Sequence, residues 1–222
     1  MNYHILDHNQ VLKMLPDRPV NGHKGTFGKI LLLCGSRGYT GSAALAAMGA
    51  LRSGAGLVYL GVPESIYDIE AVKLTEPVII PLDDEHGAYA VHAADQIITL
   101  MQGKDAVLIG PGIGQTEGTF AAVQAVLKHF PGPVVLDADG INVIAAHKDI
   151  LRERTAPTIL TPHDGEFLRF GGVLSEDRID SASKLALDFG VIVLLKGHRT
   201  VITDGVKTYL NTTGNPGMAT GG

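Results

Sequence analysis

The sequence has little cysteine, no tryptophan and no excess of positive charge. Its 222 residues include one cysteine, 18 lysines and arginines, and 23 aspartates and glutamates, which gives a formal net charge of −5. A single cysteine cannot form a disulfide bond within the chain. A protein that binds nucleic acid electrostatically needs a basic surface, so we expect no nucleic-acid partner.

Long hydrophobic runs are also missing. No stretch of about 18 consecutive apolar residues occurs, so no transmembrane helix is predicted and we expect no membrane partner. Residues 1–19 lack the basic segment and apolar stretch of a secretory signal peptide. Cys34 lies within the apolar run "KILLLCG", where we expect a buried, unreactive thiol. These features predict a cytoplasmic protein.

What the sequence does contain is a high share of apolar residues, 45%, together with 28 glycines. This length and composition allow one large hydrophobic core. No repeat, linker or low-complexity segment divides the chain. We therefore expect a single domain over residues 1–222.

Short apolar runs alternate with longer helical patterns. Most of the runs are apolar throughout, which is typical of strands covered on both faces. The predicted strands are residues 29–35, 56–62, 77–82, 105–110, 133–139, 157–162 and 191–197, followed by a hairpin that turns at Asp204 and Gly205. The predicted helices are residues 41–53, 88–101, 117–130 and 178–189. This alternation predicts an α/β fold with a mostly parallel central sheet and helices on both faces.

Ligands of such folds bind where loops leave the carboxyl ends of the strands. The segment "GSRGYTGSAA" leads from a strand into a helix and places Ser42 and Ala43 near a helix N-terminus that can face a polar or anionic ligand. An ordinary strand–helix connection explains the same segment equally well. Gly112, in "GPGIG", follows another strand and lets the backbone approach a ligand closely. The spacing fits neither a dinucleotide-binding fingerprint nor a Walker A loop.

Acidic side chains follow the later strands. Asp137 and Asp139 end one strand, where two carboxylates could serve metal binding or general-base catalysis. For Asp139 we favour capping of the following helix, and the role of Asp137 stays open. The segment "TPHDGEF" gathers His163, Asp164 and Glu166 after the next strand. We interpret it as a substrate-contacting loop rather than a zinc site, with a surface turn as the alternative.

Two further segments could hold phosphate groups. In "LLKGHRT", Lys196 emerges from a buried strand and is followed by polar and basic residues, which suits a phosphate chain. A solvated turn is the alternative. The glycine-rich segment "NTTGNPGMATGG", residues 211–222, can form a nest of backbone N–H groups around an anion.

Taken together, these loops resemble the ADP- or ATP-dependent NAD(P)H-hydrate dehydratases. The match runs from His23 to Gly222, and its segments follow the order of the family. They are "HKGTFGKILLLCGS", "GALRSGAGLV", "GPGIG", "LDADGIN", "ILTPHDGEF", "LLKGHRTVI" and "NTTGNPGMATGG". Each motif is weak by itself, but seven in register are highly specific.

The resemblance implies a ribokinase-like three-layer α/β sandwich and a role in nicotinamide nucleotide repair. The family uses ADP, or ATP in eukaryotic members, to phosphorylate the hydroxyl of (S)-NAD(P)H hydrate, after which phosphate leaves and NAD(P)H is restored. Mg²⁺ normally accompanies the nucleotide phosphates in such transfers. The implied partners are NAD(P)H hydrate, an adenine nucleotide and further copies of the chain, because tetramers are common among bacterial members.

The resemblance also implies the site residues. Those expected to contact the hydrate are Ser42, Ala43, Gly112 and His163. Those expected to bind the nucleotide are Lys196, Gly197, His198, Arg199, Thr200, Gly221 and Gly222. No metal ligand is assigned. The family continues with a Gly-Asp pair whose Asp is the catalytic base, so we expect that residue beyond Gly222, in a C-terminal part absent from this sequence.

Two departures from the family pattern are minor. Ser42 stands where the family usually has alanine, and Asp164 stands where proline is common. A backbone contact or a turn tolerates either residue.

Two other functions stay open at this point. The same fold could serve a kinase that phosphorylates an alcohol precursor of a vitamin. Without the catalytic Asp, the chain could also be a non-catalytic nucleotide-binding module or a building block of an oligomer.

Overall fold

The computed structural model describes residues 3–218, which form twelve strands and eight α-helices. The strands are β1 (His4–Ile5), β2 (Lys29–Leu33), β3 (Leu57–Pro63), β4 (Val78–Leu82), β5 (Asp84–Glu85), β6 (Ala88–Tyr89), β7 (Ala106–Ile109), β8 (Val134–Leu136), β9 (Thr158–Leu160), β10 (Ile192–Leu195), β11 (Thr200–Thr203) and β12 (Thr208–Asn211). The α-helices are α1 (His8–Met14), α2 (Thr40–Arg52), α3 (Tyr67–Lys73), α4 (Ala93–Leu100), α5 (Glu117–His129), α6 (Asp139–Ile144), α7 (Asp164–Arg169) and α8 (Arg178–Phe189). Short 3-10 helices cover Glu64–Ile66, Ala145–Glu153 and Pro216–Met218.

Ten of these strands form one sheet in the order β4-β3-β2-β7-β8-β9-β10-β11-β12-β1. In this order, the seven strands from β4 at one edge through β10 run parallel to one another. Strands β11 and β12 form an antiparallel hairpin next to β10. The predicted strands and the predicted hairpin are confirmed. Asp204 and Gly205 lie in its turn, where Gly205 has a φ of +90°.

The strand order reverses direction between β2 and β7. The chain proceeds from β2 to β3 and β4 on one side, and then returns to place β7 on the other side of β2. At such a reversal, the loops that leave two adjacent strands diverge and open a crevice outside their carboxyl ends. The topology therefore predicts that a ligand binds at the loops that follow β2 and β7.

The hydrophobic core has two parts, one on each face of the sheet. Alternate residues of a strand point to opposite faces, so Leu31 and Leu33 of β2 pack with the layer that contains α4, α5 and α8. Leu32 and Cys34 pack on the other face with α2 and α3. All four side chains are fully buried, as the continuous apolar run predicts.

The second face is less well covered at the other end of the sheet. In β9, β10 and β11, the side chains that alternate with buried ones are only partly buried, for example Ile159, Leu194 and Ile202. Among the described residues, the helices on this face therefore lie mainly over β2, β3 and β4.

One predicted helix begins later than expected. The helix predicted over residues 88–101 is formed only by Ala93–Leu100, because Ala88–Tyr89 pairs with Asp84–Glu85 as a short hairpin. The buried Tyr89 hydroxyl donates a hydrogen bond of 2.8 Å to the Gly61 carbonyl, which fixes this hairpin against β3. Within residues 3–218, none of the helices has both the length and the apolar character needed to cross a bilayer.

Candidate functional site

Five of the six segments singled out in the sequence follow the carboxyl ends of five adjacent strands, β2, β7, β8, β9 and β10. They therefore lie along one edge of the sheet. The sixth segment, residues 211–222, begins at the last residue of β12. Contacts between neighbouring loops join the first five into a single surface.

The loops after β2 and β7 bind each other directly. Gly35 N–H donates to the Pro111 carbonyl at 2.8 Å, and Ser36 Oγ donates to the Gly112 carbonyl at 2.7 Å. Ser42 Oγ donates to the Tyr39 carbonyl at 2.6 Å and also lies 3.2 Å from the Pro111 carbonyl, which is a second acceptor for the same hydrogen. Ser42 and Gly112, predicted from separate segments, thus lie together at the strand-order reversal.

Gly112 needs to be glycine at this point. Its φ is +66°, in the left-handed region, and a Cβ at this position would overlap Ser42 Oγ and lie 2.9 Å from Tyr39 Cβ. Ala43, the next residue after Ser42, is fully buried in the core. Neither its backbone nor its side chain is exposed to a ligand in this structure, so the contact expected of Ala43 stays a prediction.

Asp139 anchors the glycine loop after β7. Its Oδ2 accepts the Gly114 N–H at 3.0 Å, and its Oδ1 accepts a hydrogen bond of 3.0 Å from Gln115 Nε2. The expectation that Asp139 caps the following helix is wrong. Asp139 is the first residue of α6, and the capping position belongs to Ala138, which has a φ of +48° and makes no side-chain cap bond.

Asp137 and Lys196 form the centre of the edge. Lys196 Nζ lies 2.7 Å from Asp137 Oδ1, and Thr161 Oγ1 donates to the same oxygen at 2.7 Å. Glu166 Oε2 lies 3.8 Å from Lys196 Nζ. The Lys196 side chain is 40% exposed and Asp137 is 25% exposed, so the ammonium is accessible while two carboxylates flank it.

His163 caps helix α7. Its Nδ1 accepts the Gly165 N–H at 2.9 Å and the Glu166 N–H at 3.4 Å, while Glu166 Oε2 accepts the His163 N–H at 2.8 Å. This reciprocal pair is a capping box. Because Nδ1 is an acceptor, a neutral His163 carries its proton on Nε2, which can donate to Glu166 or to a ligand.

The segment predicted to bind nucleotide begins at Lys196, whose N–H donates to the Pro162 carbonyl at 2.8 Å. Gly197, His198 and Arg199 are exposed, and Arg199 has a φ of +62°. Thr200 Oγ1 closes the turn by donating to the Gly197 carbonyl at 3.0 Å. Gly221 and Gly222 lie outside the described residues.

Cys34 lies at the end of β2 and is fully buried. Burial raises the pKa of its thiol well above the ordinary value, and the nearby Asp137 carboxylate raises it further. The thiol is therefore protonated at neutral pH. The expectation of a buried cysteine is confirmed, and the raised pKa supports the expectation that its thiol is unreactive.

Sequence reasoning missed two residues that support the site, Thr161 and Arg178. Thr161 shares an oxygen of Asp137 with Lys196, and Arg178 contacts both the loop of Asp164 and the carbonyl of Lys196. Thr161 could have been suspected, since it directly follows β9. Arg178 lies in no recognisable motif, and only the packing of α8 brings it there. Among residues 3–218, no three His, Cys, Asp or Glu side chains are grouped closely enough to hold a metal ion.

The sheet order and the loop cluster define a ribokinase-like α/β protein. A ribokinase-like superfamily protein from Enterococcus faecalis has the same fold, with a TM-score of 0.83 at 24% identity over 99% of this chain and 75% of that chain. The ADP/ATP-dependent NAD(P)H-hydrate dehydratase from Bacillus subtilis, co-crystallised with ATP and Mg²⁺, matches with a TM-score of 0.83 at 34% identity. This match covers 100% of this chain and 76% of that chain.

The family model of the NAD(P)H-hydrate dehydratases matches residues 30–222. The chain belongs to this family. The expected ribokinase-like fold and family membership are thereby confirmed.

Curated relatives carry names from the same family. A bifunctional NAD(P)H-hydrate repair enzyme Nnr from Moorella thermoacetica is 41% identical over 94% of this chain. The ADP-dependent (S)-NAD(P)H-hydrate dehydratase of B. subtilis is 38% identical over 100% of it. The match spans 40% of the length of the first relative and 77% of the second. Neither a vitamin-precursor kinase nor a non-catalytic module gains support from these relatives.

Proposed function

We propose that this chain acts in nicotinamide nucleotide repair, as an ADP-dependent dehydratase of (S)-NAD(P)H hydrate. Family membership supports the reaction. The main structural support is that four predicted site residues lie along one edge of the sheet: Ser42, Gly112, His163 and Lys196.

The substrate side of the site is the half nearest the strand-order reversal. Ser42 and Gly112 are partly exposed beside the crevice and offer backbone groups there, and Gly112 lets the two loops approach closely. His163, with its side chain 54% exposed, offers Nε2 as a hydrogen-bond donor. Such uncharged donors suit the hydroxyl and amide groups of a hydrated nicotinamide.

The nucleotide side is the segment from Lys196 to Thr200, with Gly221 and Gly222 proposed as further contacts. Lys196 supplies an ammonium that can pair with phosphate oxygens. The exposed residues Gly197, His198 and Arg199 are free to contact the rest of an adenine nucleotide. We propose ADP as the donor, with ATP as the alternative.

The chemistry solves a leaving-group problem. Hydroxide leaves poorly from the hydrated ring, whereas phosphate leaves well. The bond between the terminal phosphorus of ADP and its bridging oxygen breaks, which leaves AMP, while that phosphorus bonds to the hydroxyl oxygen and the hydroxyl proton passes to a general base. The C–O bond then breaks with release of inorganic phosphate, and a proton is lost from the adjacent carbon to restore the double bond. Lys196 stabilises the negative charge of the phosphoryl group during its transfer.

Mg²⁺ is proposed to accompany the nucleotide. It favours oxygen ligands and is usually held by one or two carboxylates, phosphate oxygens and water rather than by an all-protein cage. Asp137 and Glu166 fit this pattern, since both carboxylates flank Lys196 where the phosphates are proposed to lie. When bound, the ion would neutralise phosphate charge.

We further propose a cytoplasmic location and a homotetramer. The proposed substrates, reduced nicotinamide nucleotides and adenine nucleotides, are abundant in the cytoplasm, and the lone cysteine requires no oxidising compartment. The tetramer rests on the resemblance alone, and light scattering of the purified protein tests it directly.

The activity is tested by supplying NADPH hydrate, ADP and Mg²⁺ and following recovery of the reduced-nicotinamide absorbance band. We expect recovery with the full-length natural protein and a loss of roughly 100-fold or more in Lys196→Ala, since a charged contact to the transferred group is removed. Lys128→Ala, at an exposed lysine near the end of α5, is the matched control and should retain the rate. A folded full-length protein that restores neither NADH nor NADPH, with ADP or with ATP, would refute the proposal.

A further inference from the structure

Arg178 joins the two halves of the site. Its Nη1 lies 2.7 Å from Asp164 Oδ1, in the loop that contains His163, and its Nη2 donates to the Lys196 carbonyl at 3.0 Å. The Arg178 side chain is 27% exposed and that of Asp164 is 54% exposed. One guanidinium thus connects the start of α7, beside His163, to Lys196, the first residue of the segment predicted to bind nucleotide.

Both ends of this bridge are anchored on helices. Asp164 is the first residue of α7, and Arg178 is the first residue of α8, directly after its N-cap Asp177. An acidic residue at a helix N-terminus is favourable, but a cation there opposes the helix dipole. The position of Arg178 is therefore locally unfavourable for a cation, so its contacts with Asp164 and Lys196 must compensate.

The geometry requires an arginine. The two contacts use different nitrogens of a planar group, which a lysine ammonium cannot reproduce from one position. The chain also passes close by, since a Cβ on Gly197 would lie 3.0 Å from Nη2 of Arg178. Arg178 Nε is buried and has no hydrogen-bond partner among the described atoms. Loss of the Asp164 contact would leave this partly buried guanidinium even less satisfied.

We propose that Asp164 and Arg178 are positioning residues that hold the nucleotide loop, residues 196–200, against the substrate-contacting start of α7, residues 163–166. By fixing the nucleotide loop in advance, they raise the affinity for adenine nucleotide. The effect on nucleotide affinity rests on the proposed function. The restraint on the loop does not.

The restraint is tested by amide hydrogen exchange of the nucleotide loop in the natural chain, Asp164→Asn and Arg178→Gln. Both variants should exchange several-fold faster at residues 197–200, while β10 keeps its protection and so reports an intact fold. Asp149→Asn is the matched control, because it alters an exposed pair, Asp149 with Arg152 at 3.2 Å, outside these loops. Unchanged exchange in the nucleotide loop of both variants would overturn the inference.

The consequence for binding is measured with a fluorescent ADP analogue, which requires no turnover. Each single variant should weaken binding roughly three- to tenfold, and the double variant should be no weaker than the worse single one, because both remove the same restraint. Arg178→Lys should bind ADP as weakly as Arg178→Gln, whereas Asp164→Glu should bind it more tightly than Asp164→Asn. Purely additive losses, or rescue by lysine, would contradict the positioning role.

Failure of the two proposals can be told apart. If the natural chain binds no adenine nucleotide while the variants still exchange faster, the proposed function and the affinity effect fail but the restraint stands. If binding weakens without any change in exchange, the positioning role is wrong and the charges act directly on the nucleotide.

Discussion

Lys196 and Asp137 are 59 positions apart in the sequence, and Lys196 Nζ lies 2.7 Å from Asp137 Oδ1. Lys196 follows β10 and Asp137 follows β8, so the pair spans the end of β9, the strand between them. Thr161, which follows β9, donates to the same carboxylate oxygen. Three strand ends are thereby tied together around one accessible ammonium.

The first prediction concerns this pair. In Asp137→Asn, Lys196 keeps its charge but loses its principal anionic partner, so the ammonium is less firmly positioned. We expect kcat/KM for ADP to fall about tenfold, which corresponds to about 1.4 kcal/mol, less than the loss in Lys196→Ala. Steady-state kinetics measure both. An Asp137→Asn enzyme with unchanged kcat/KM would show that the pair has no role in positioning.

The second prediction concerns Gly112. Alanine there would combine a left-handed backbone with overlap against Ser42 Oγ, and we expect a loss of about 2–4 kcal/mol in the free energy of unfolding. Gly103→Ala is the matched control, because Gly103 has a similar φ of +67° with nothing within 4 Å of a built Cβ. It should lose only about 1–2 kcal/mol. If denaturant melts show equal losses of unfolding free energy in Gly112→Ala and Gly103→Ala, the contact with Ser42 is not tight.

The third prediction concerns Glu70, whose side chain is fully buried beside Lys73 at 3.2 Å. Burial raises the pKa of this carboxyl above its ordinary value of 4.5, although the hydrogen bond and charge of Lys73 oppose the change. A raised pKa means that the folded state binds the proton more tightly than the unfolded state. The resulting stabilisation is complete below pH 4.5 and is lost as the pH rises through the folded-state pKa.

Glu70→Gln removes this titration. The unfolding free energy of the variant should therefore rise relative to the natural chain as the pH increases from about 4.5 to 7. Urea melts across this range provide the measurement. Glu85→Gln, at a carboxylate that is 68% exposed, serves as the control. A difference between Glu70→Gln and the natural chain that is independent of pH would contradict the assignment.

The fourth prediction concerns Arg154, at the amino-end edge of β8 and β9. Its guanidinium donates to the carbonyls of Leu127, Phe130 and Gly132 and to Thr158 Oγ1, at 2.7 to 3.1 Å. It thereby satisfies carbonyls near the C-terminal end of α5 that have no helical partner.

Arg154→Lys should lower the free energy of unfolding by about 2–3 kcal/mol, since one ammonium cannot replace these donors. Arg152→Lys, at a side chain that is 55% exposed, should change it by less than about 0.5 kcal/mol. Nucleotide affinity should be unaffected in both variants. If Arg154→Lys is as stable as the natural chain in thermal and denaturant melts, the hydrogen bonds of Arg154 contribute little.

Much of the fold follows from local sequence. The strands were predicted because buried parallel strands are apolar throughout, as in "KILLLCG". The shortened helix at Ala93 was not predicted, because residues 88–101 have a helical pattern while Tyr89 is held in a hairpin by the distant Gly61 carbonyl. Local patterns do not contain that long-range contact.

The candidate site was predicted at the level of loops but not of partners. Because ligands of such folds bind at the carboxyl ends of strands, Gly112, His163 and Lys196 are predicted to lie at one edge. Which carboxylate meets Lys196 depends on strand order, which the sequence does not state, and this is why the role of Asp137 stayed open. The capping expected of Asp139 failed for the same reason, since its partner is the Gly114 N–H on another loop.

We propose that these strand ends form one cleft for an adenine nucleotide and a hydrated nicotinamide nucleotide. Titration of the ¹⁵N-labelled chain with ADP, followed by NADPH hydrate, tests it most directly through amide chemical shifts. We expect ADP to shift Lys196 to Thr200 first, and the hydrate then to shift Ser42, Gly112 and His163. Shifts confined to the opposite edge, around Arg154, or the absence of any shift would contradict the account.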